Sequence, residues 1–132
     1  MDKPENFRII VVDDEVRAVE GLVELLRLDG YVVAGYSEPA QVIEHLKKAS
    51  ADLLLTDLKM PEMDGLELLQ QAKVLDPALN VVMITGQGTV NDAVAAMKTG
   101  ADDYLIKPLN VDELEIVITR IFEKRDLIRQ NQ

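Results

Sequence analysis

Leu53-Leu54-Leu55-Thr56-Asp57 runs three leucines and a threonine straight into an acid. The same design recurs along the chain. Ile9-Ile10-Val11-Val12 runs into Asp13-Asp14, Val81-Val82-Met83-Ile84 into Thr85, and Tyr104-Leu105-Ile106 into Lys107. Short, near-continuous apolar runs of this kind are the pattern of strands covered on both faces in a parallel sheet. Strands are expected at residues 8–12, 31–35, 52–56, 81–85 and 104–106.

Helical patterns fill the intervals. Val16, Val19, Leu22, Val23 and Leu26 recur at three and four, with Asp14 placed to cap the helix and Gly30 to end it. Ser37 is in position to cap a second helix, with Pro39 in its first turn and Val42, Ile43 and Leu46 on its apolar stripe. Leu66, Leu69 and Leu75 predict a third. Val90, Ala93, Val94 and Met97 predict a fourth, stopped by Gly100. A fifth begins near Val111 and carries Leu114, Val117, Ile118 and Ile121. The expectation is a single α/β domain over residues 1–132, a (βα)5 open parallel sheet whose right-handed crossovers put helices on both faces. Residues 123–132 extend the last helix without a clear cap, as a fraying end or as a link toward an output domain.

Composition narrows the function. Hydrophobic residues make up 48% of 132, enough for a real core. The chain carries 24 acidic and 14 basic residues, a formal charge of −10, which makes a nucleic-acid backbone a poor direct partner. There is no cysteine, hence no disulfide and no thiolate chemistry. No apolar run approaches the roughly 18 residues needed to cross a bilayer. The first six residues lack the basic and apolar regions of a signal peptide. A cytoplasmic location without membrane contact is expected.

The polar groups ending the strands belong to complementary kinds. In open α/β sheets ligands bind beyond the carboxyl ends of the strands, where Asp13, Asp57, Thr85 and Lys107 all fall. Three clustered carboxylates repel one another, and a hard cation relieves that repulsion. Magnesium takes oxygen ligands and commonly bridges to phosphate. Asp57 is then a candidate carboxylate nucleophile toward phosphorus. Lys107 and the Thr85 hydroxyl are candidate partners for the phosphoryl oxygens. Other features have plainer readings. His45 is expected on a solvated helix face, Gly86-Xaa-Gly88 as a flexible loop, and Asp64-Gly65 as turn chemistry. Lys59 and Gln87 flank the site. Leu114, Ile121 and Ile128 fall at seven-residue spacing and outline a possible dimer seam, although Leu114 and Ile121 also suit packing on the sheet.

Asp13-Asp14, the stretch Thr56-Asp57-Leu58-Lys59-Met60-Pro61-Glu62-Met63-Asp64-Gly65, Thr85-Gly86, and Gly100-Ala101-Asp102-Asp103-Tyr104-Leu105-Ile106-Lys107-Pro108 together resemble the receiver domain of two-component response regulators. The resemblance spans residues 7–122. It implies a flavodoxin-like sheet of order 2-1-3-4-5 and a phosphoacceptor at Asp57. Asp13, Asp14, Asp57 and the backbone carbonyl of Lys59 would hold Mg2+, with Mn2+ as a possible substitute. Thr85 and Tyr104 would form a switch pair, Lys107 would contact the phosphoryl group, and Lys107–Pro108 would be a cis peptide. A sensor histidine kinase is the implied partner, homodimerisation is possible, and the protein would be a signalling switch rather than an enzyme that turns over a substrate. Gly88-Thr89-Val90, Ala93-Val94-Xaa-Ala96-Met97-Lys98 and Asp103-Tyr104-Leu105 are further similar to receivers of sigma-54-dependent transcriptional activators. An ATPase domain and a DNA-binding domain would follow in such proteins.

The rival readings use related chemistry. A haloacid dehalogenase-type phosphatase would need its two acids two positions apart after the first strand, where this chain has them adjacent. A flavin mononucleotide binder would need a hydroxyl- and glycine-rich loop in place of Asp13-Asp14-Glu15. A protein-interaction module that is never phosphorylated would have little use for the full set of site residues.

Overall fold

The computed structural model describes residues 6–86 and 88–130, with side chains through residue 128. Strands and helices alternate as β1 (Arg8–Val12), α1 (Val16–Leu28), β2 (Val32–Tyr36), α2 (Pro39–Lys48), β3 (Leu53–Asp57), α3 (Gly65–Leu75), β4 (Asn80–Thr85), α4 (Val90–Thr99), β5 (Asp103–Ile106) and α5 (Val111–Gln130). The sheet has the order β2-β1-β3-β4-β5, and every pairing is parallel. This is the flavodoxin-like arrangement expected from the sequence. β3 lies between β1 and β4, so the residue ending it is flanked by the ends of both neighbours.

Alternation along the strands divides the core in two. Ile9, Val11, Leu53, Leu55, Val82 and Ile84 face α1 and α5, where they meet Val23, Leu26, Leu114 and Ile118. Ile10, Val12, Leu54, Val81 and Met83 face the opposite layer, where they meet Val42, Leu68, Leu69 and Ala96. The three leucines of β3 are at most 1% exposed, and complete burial of each contributes about 1.5–3 kcal/mol. Both faces of β3 are therefore dry, and its polar residues are confined to its ends.

Several local expectations change in the folded chain. Asp14 does not cap α1. Glu15 occupies the cap position, and its N–H donates to Asp13 Oδ1 at 2.9 Å, which leaves Asp14 exposed on the site side. Ser37 does not cap α2. Glu38 does, its N–H donating to Gln41 Oε1 at 3.2 Å, with Pro39 at the first helical position as expected. β2 runs one residue later at each end than predicted, and β3 likewise, so that Asp57 is the last residue of its strand rather than the first of a loop. Gly30 and Gly100 end α1 and α4 with φ of 96° and 119°, in the left-handed region where a side chain is disfavoured.

The stripe on α4 is the larger surprise. Ala96 is buried, but Val90, Val94 and Met97 are 80%, 45% and 48% exposed. Ile106, Val111 and Ile116 are exposed as well, so α4, β5 and α5 each carry exposed apolar side chains. On α5, Leu114 and Ile121 are buried against the sheet and only Ile128 of the seven-residue series is exposed. No helix among the described residues is long and apolar enough to cross a membrane.

Candidate functional site

β1, β3 and β4 each end in a buried polar residue or run directly into one. Asp57 closes β3 and Thr85 closes β4, while Asp13 follows β1. Lys107 follows β5. The in-register pairing of Val12 with Thr56, Asp57 with Ile84, and Thr85 with Ile106 lines these positions up along one edge of the sheet. Carboxylate oxygens of Asp13, Asp14 and Asp57 lie within 4.8 Å of one another. Lys107 Nζ donates to Asp13 Oδ2 at 2.6 Å and stands 3.7 Å from Asp57 Oδ2. The structure thus brings Asp13, Asp14, Asp57 and Lys107 together, with Thr85 at the adjoining strand end.

The backbone around Asp57 is fixed from several sides. Leu58 N–H donates to Asp57 Oδ1 at 2.8 Å, leaving Oδ2 as the oxygen turned toward Lys107. The Thr56 hydroxyl donates to the Asp57 carbonyl at 2.9 Å. Gly65 N–H donates to the Leu58 carbonyl at 2.7 Å, and a Cβ on Gly65 would fall 2.2 Å from the Asp57 carbonyl oxygen. The Asp64-Gly65 turn thus does more than reverse the chain: it lets the start of α3 press directly against the backbone of Asp57. Asp64 caps that helix by accepting from Glu67 N–H at 2.8 Å. On the other flank, Asp13 N–H donates to the Tyr36 carbonyl at 3.3 Å and Lys107 N–H to the Thr85 carbonyl at 2.9 Å. The Lys107–Pro108 peptide is cis.

Charge in the site is unbalanced. Burial, then the neighbouring Asp13 carboxylate and more weakly Asp14, push the Asp57 carboxyl above the usual aspartate range against the opposing pull of Lys107 and the Leu58 N–H. Burial alone would lower the Lys107 ammonium, but its hydrogen bond and charge contact with Asp13, followed by Asp57 and Glu15, hold it above the ordinary lysine value. One ammonium among three carboxylates leaves net negative charge in a pocket whose donors are all oxygen. That donor set suits a hard divalent cation. Asp14 is exposed and Asp57 only 9% exposed, so the cluster is open on one side to water and sealed on the other. Among the described residues no backbone N–H donates to the Lys59 carbonyl, two positions past Asp57.

A cleft of about 380 Å3 leads from Asp13, Asp57 and Lys107 along α1, past Ala18, Leu22 and Leu25. Tyr104 lies on the opposite side of β5, partly buried, with its hydroxyl oxygen sealed from solvent and unbonded among the described residues. Burial, followed by Asp92 and Asp57, raises its phenol above the ordinary range. His45 is not on a solvated face. Its Nδ1 is 2.7 Å from the Tyr36 hydroxyl and its ring packs edge-on against Tyr36, while burial and then Arg8 lower its imidazole below the ordinary value. The reach of Tyr36 across to α2 was invisible in sequence. Gln87, expected to flank the site, lies outside the described residues.

Known proteins carry the same arrangement. Residues 9–119 match the response regulator receiver domain family. The transcriptional regulatory protein ZraR of Escherichia coli K12 is 42% identical over 116 residues, covering 88% of this chain and 26% of its own. The C4-dicarboxylate transport transcriptional regulatory protein DctD of Rhizobium meliloti is 32% identical over 124 residues, covering 94% of this chain and 27% of its own. The chain thus spans about a quarter of the length of these curated relatives. Among solved structures, a response regulator receiver domain protein from Clostridium thermocellum superposes with a TM-score of 0.85 at 32% identity, over 92% of this chain and 98% of the other. The beryllofluoride-activated NtrC4 receiver domain dimer superposes with a TM-score of 0.84 at 32% identity, over 89% and 97%. With its sheet order, its acidic edge and these matches in agreement, the chain belongs to the response regulator receiver domain family.

Proposed function

We propose that this domain is a phosphorylation-operated switch with Asp57 as phosphoacceptor and a sensor histidine kinase as donor. The observation carrying the reading is the convergence of the Asp13, Asp14 and Asp57 oxygens within 4.8 Å beside an ammonium 2.6 Å from one of them. Asp57 Oδ2 attacks phosphorus, the donor's P–N bond breaks, and the imidazole leaves with the electron pair and takes up a proton. Asp13, Asp14, Asp57 and the Lys59 carbonyl would hold Mg2+, with Mn2+ able to substitute. When bound, that ion offsets negative charge on the carboxylates and the transferring group. Lys107 exchanges its contact with Asp13 for one with a phosphoryl oxygen, and the Thr85 hydroxyl donates to another. Water later cleaves the acyl phosphate and restores the carboxylate. The domain catalyses only its own gain and loss of phosphate.

Drawing Thr85 toward Asp57 alters the space beside Tyr104, which biases the surface of α4, β5 and α5. The exposed Val90, Val94, Met97 and Ile106 give that surface something to bury, in a homodimer or against an output domain. Relatives named as transcriptional regulators support an output in transcription. The likeness of the α4 segment to sigma-54-dependent activators supports that class, with DNA contacted by another domain.

Incubation with a small acyl phosphate and magnesium should add one acid-labile phosphoryl group by intact mass, and Asp57→Ala should add none. An unchanged mass in the parent protein, or an equal gain in Asp57→Ala, removes this reading.

A further inference from the structure

The glycine at position 88 reads in sequence as loop flexibility. What it supplies is room. A Cβ built on Gly88 would lie 1.6 Å from the Tyr104 hydroxyl oxygen, 2.8 Å from Tyr104 Cζ and 2.8 Å from Thr85 Cγ2. The Tyr104 hydroxyl therefore rests directly on the Gly88 backbone, beside the Thr85 methyl.

The backbone on either side of this contact is anchored, while the Thr85 side chain keeps its own rotation. Thr89 N–H donates to Asp92 Oδ2 at 2.9 Å and Asp92 N–H to Thr89 Oγ1 at 3.1 Å, a reciprocal cap that anchors the chain one residue after Gly88. Thr85 is held in β4 opposite Ile106. The tyrosine ring is the movable part. Its hydroxyl has no hydrogen-bond partner among the described residues in this position, so the inward placement rests on packing alone and is poorly defended against a small intrusion.

From these two observations we infer that Gly88 is the seat of Tyr104, and that the side chain at position 88 sets the balance between the inward and outward placements of that ring. The balance reaches the acceptor through Thr85. A Thr85 side chain drawn toward Asp57 enlarges the space the ring occupies, so the inward ring and a filled Asp57 site favour each other. By linkage, a residue that expels the ring must weaken occupancy at Asp57. Gly88 is in this sense a positioning residue acting through Tyr104, and the inference rests on the proposed role of Asp57.

The test pairs a structural and a binding readout. In the unmodified protein, nuclear Overhauser contacts should connect the Tyr104 ring to the Thr85 γ-methyl, and Gly88→Ala should abolish them while the remaining spectrum reports an intact fold. Titration with beryllofluoride and magnesium should then show binding to Gly88→Ala weakened by about fivefold or more. On a Tyr104→Ala background the same substitution at position 88 should change affinity little, because the ring it would displace is gone. Retention of the ring contacts in Gly88→Ala overturns the inference, as does a displaced ring with unaltered affinity, or an equal loss on both backgrounds. A parent protein that takes up no beryllofluoride defeats the Asp57 reading instead, and with it the link to occupancy. The ring contacts still decide whether Gly88 seats Tyr104.

Discussion

Asp52 and Asp57 bracket the same strand, and both are buried, at 6% and 9% exposure. At the N-terminal end of β3, Asp52 Oδ2 accepts from Arg8 N–H at 2.8 Å and Oδ1 from Arg125 Nε at 3.0 Å. The same guanidinium donates to the Ala78 carbonyl and to Asn80 Oδ1, each at 2.8 Å, pinning the distal part of α5 beneath β3 and β4. At the C-terminal end, Asp57 meets two more acids and one lysine that is closer to Asp13 than to it. One carboxylate is closed by protein partners, and the other is left wanting a cation. A buried charge that the protein neutralises itself serves architecture. One that it crowds with like charge is prepared for something that arrives from outside.

The closed end should be the costlier to damage. Arg125→Ala removes the guanidinium that the buried Asp52 carboxylate holds and frees the last turns of α5. A loss of about 3 kcal/mol in unfolding free energy is expected from urea titration. Phosphoryl acceptance at Asp57, at the far end of the strand, should persist in the protein that remains folded. A loss below the scatter of the titration would mean that the pair is surface decoration.

The two ends were not equally legible in sequence. Apolar runs ending in Asp, Thr and Lys marked the C-terminal edge, because each candidate residue sits next to the strand that positions it. The closed end depends on Arg125 returning from 73 positions away to reach Asp52, and no local pattern encodes that contact. Strand positions were readable because burial on both faces demands continuous apolar residues. The caps misplaced at Asp14 and Ser37 lie where several polar residues in a row could each serve, and the backbone selects one. The apolar residues of α4 gave the right helix but the wrong face, since periodicity reports a stripe without saying what covers it. The contacts of Gly65 with the Asp57 carbonyl and of Gly88 with Tyr104 were hidden altogether, because a missing side chain leaves no signal until its neighbours are in place.

Magnesium should separate the two ends next. An ion that binds the folded acidic edge and not the unfolded chain stabilises by mass action, about 2.7 kcal/mol at a hundredfold excess over its dissociation constant. The midpoint of thermal unfolding should therefore rise with magnesium in the parent protein and in Arg125→Ala alike. Asp13→Asn should lose most of the rise. Equal stabilisation in Asp13→Asn would place the ion elsewhere.

The smallest effect is the most diagnostic, because its sign is opposite to that of ordinary core damage. A carboxyl group held above its unfolded value binds protons more readily in the folded protein. As pH rises through the window just above the unfolded value, the folded protein holds more protons than the unfolded chain, and stability falls. At neutral pH the full penalty of the ionised Asp57 is present. Asp57→Asn keeps the shape, removes that charge and should stabilise the magnesium-free protein at pH 7 by roughly 1 kcal/mol. The gain should shrink on acidification and disappear below about pH 3, where the parent carboxyl is protonated in the folded and the unfolded state alike. Asp52→Asn, which discards a charge matched by Arg125, should destabilise at pH 7 instead. If both substitutions proved destabilising at neutral pH, Lys107 would already balance the acidic edge, and the asymmetry between the two ends of β3 would lose its electrostatic basis.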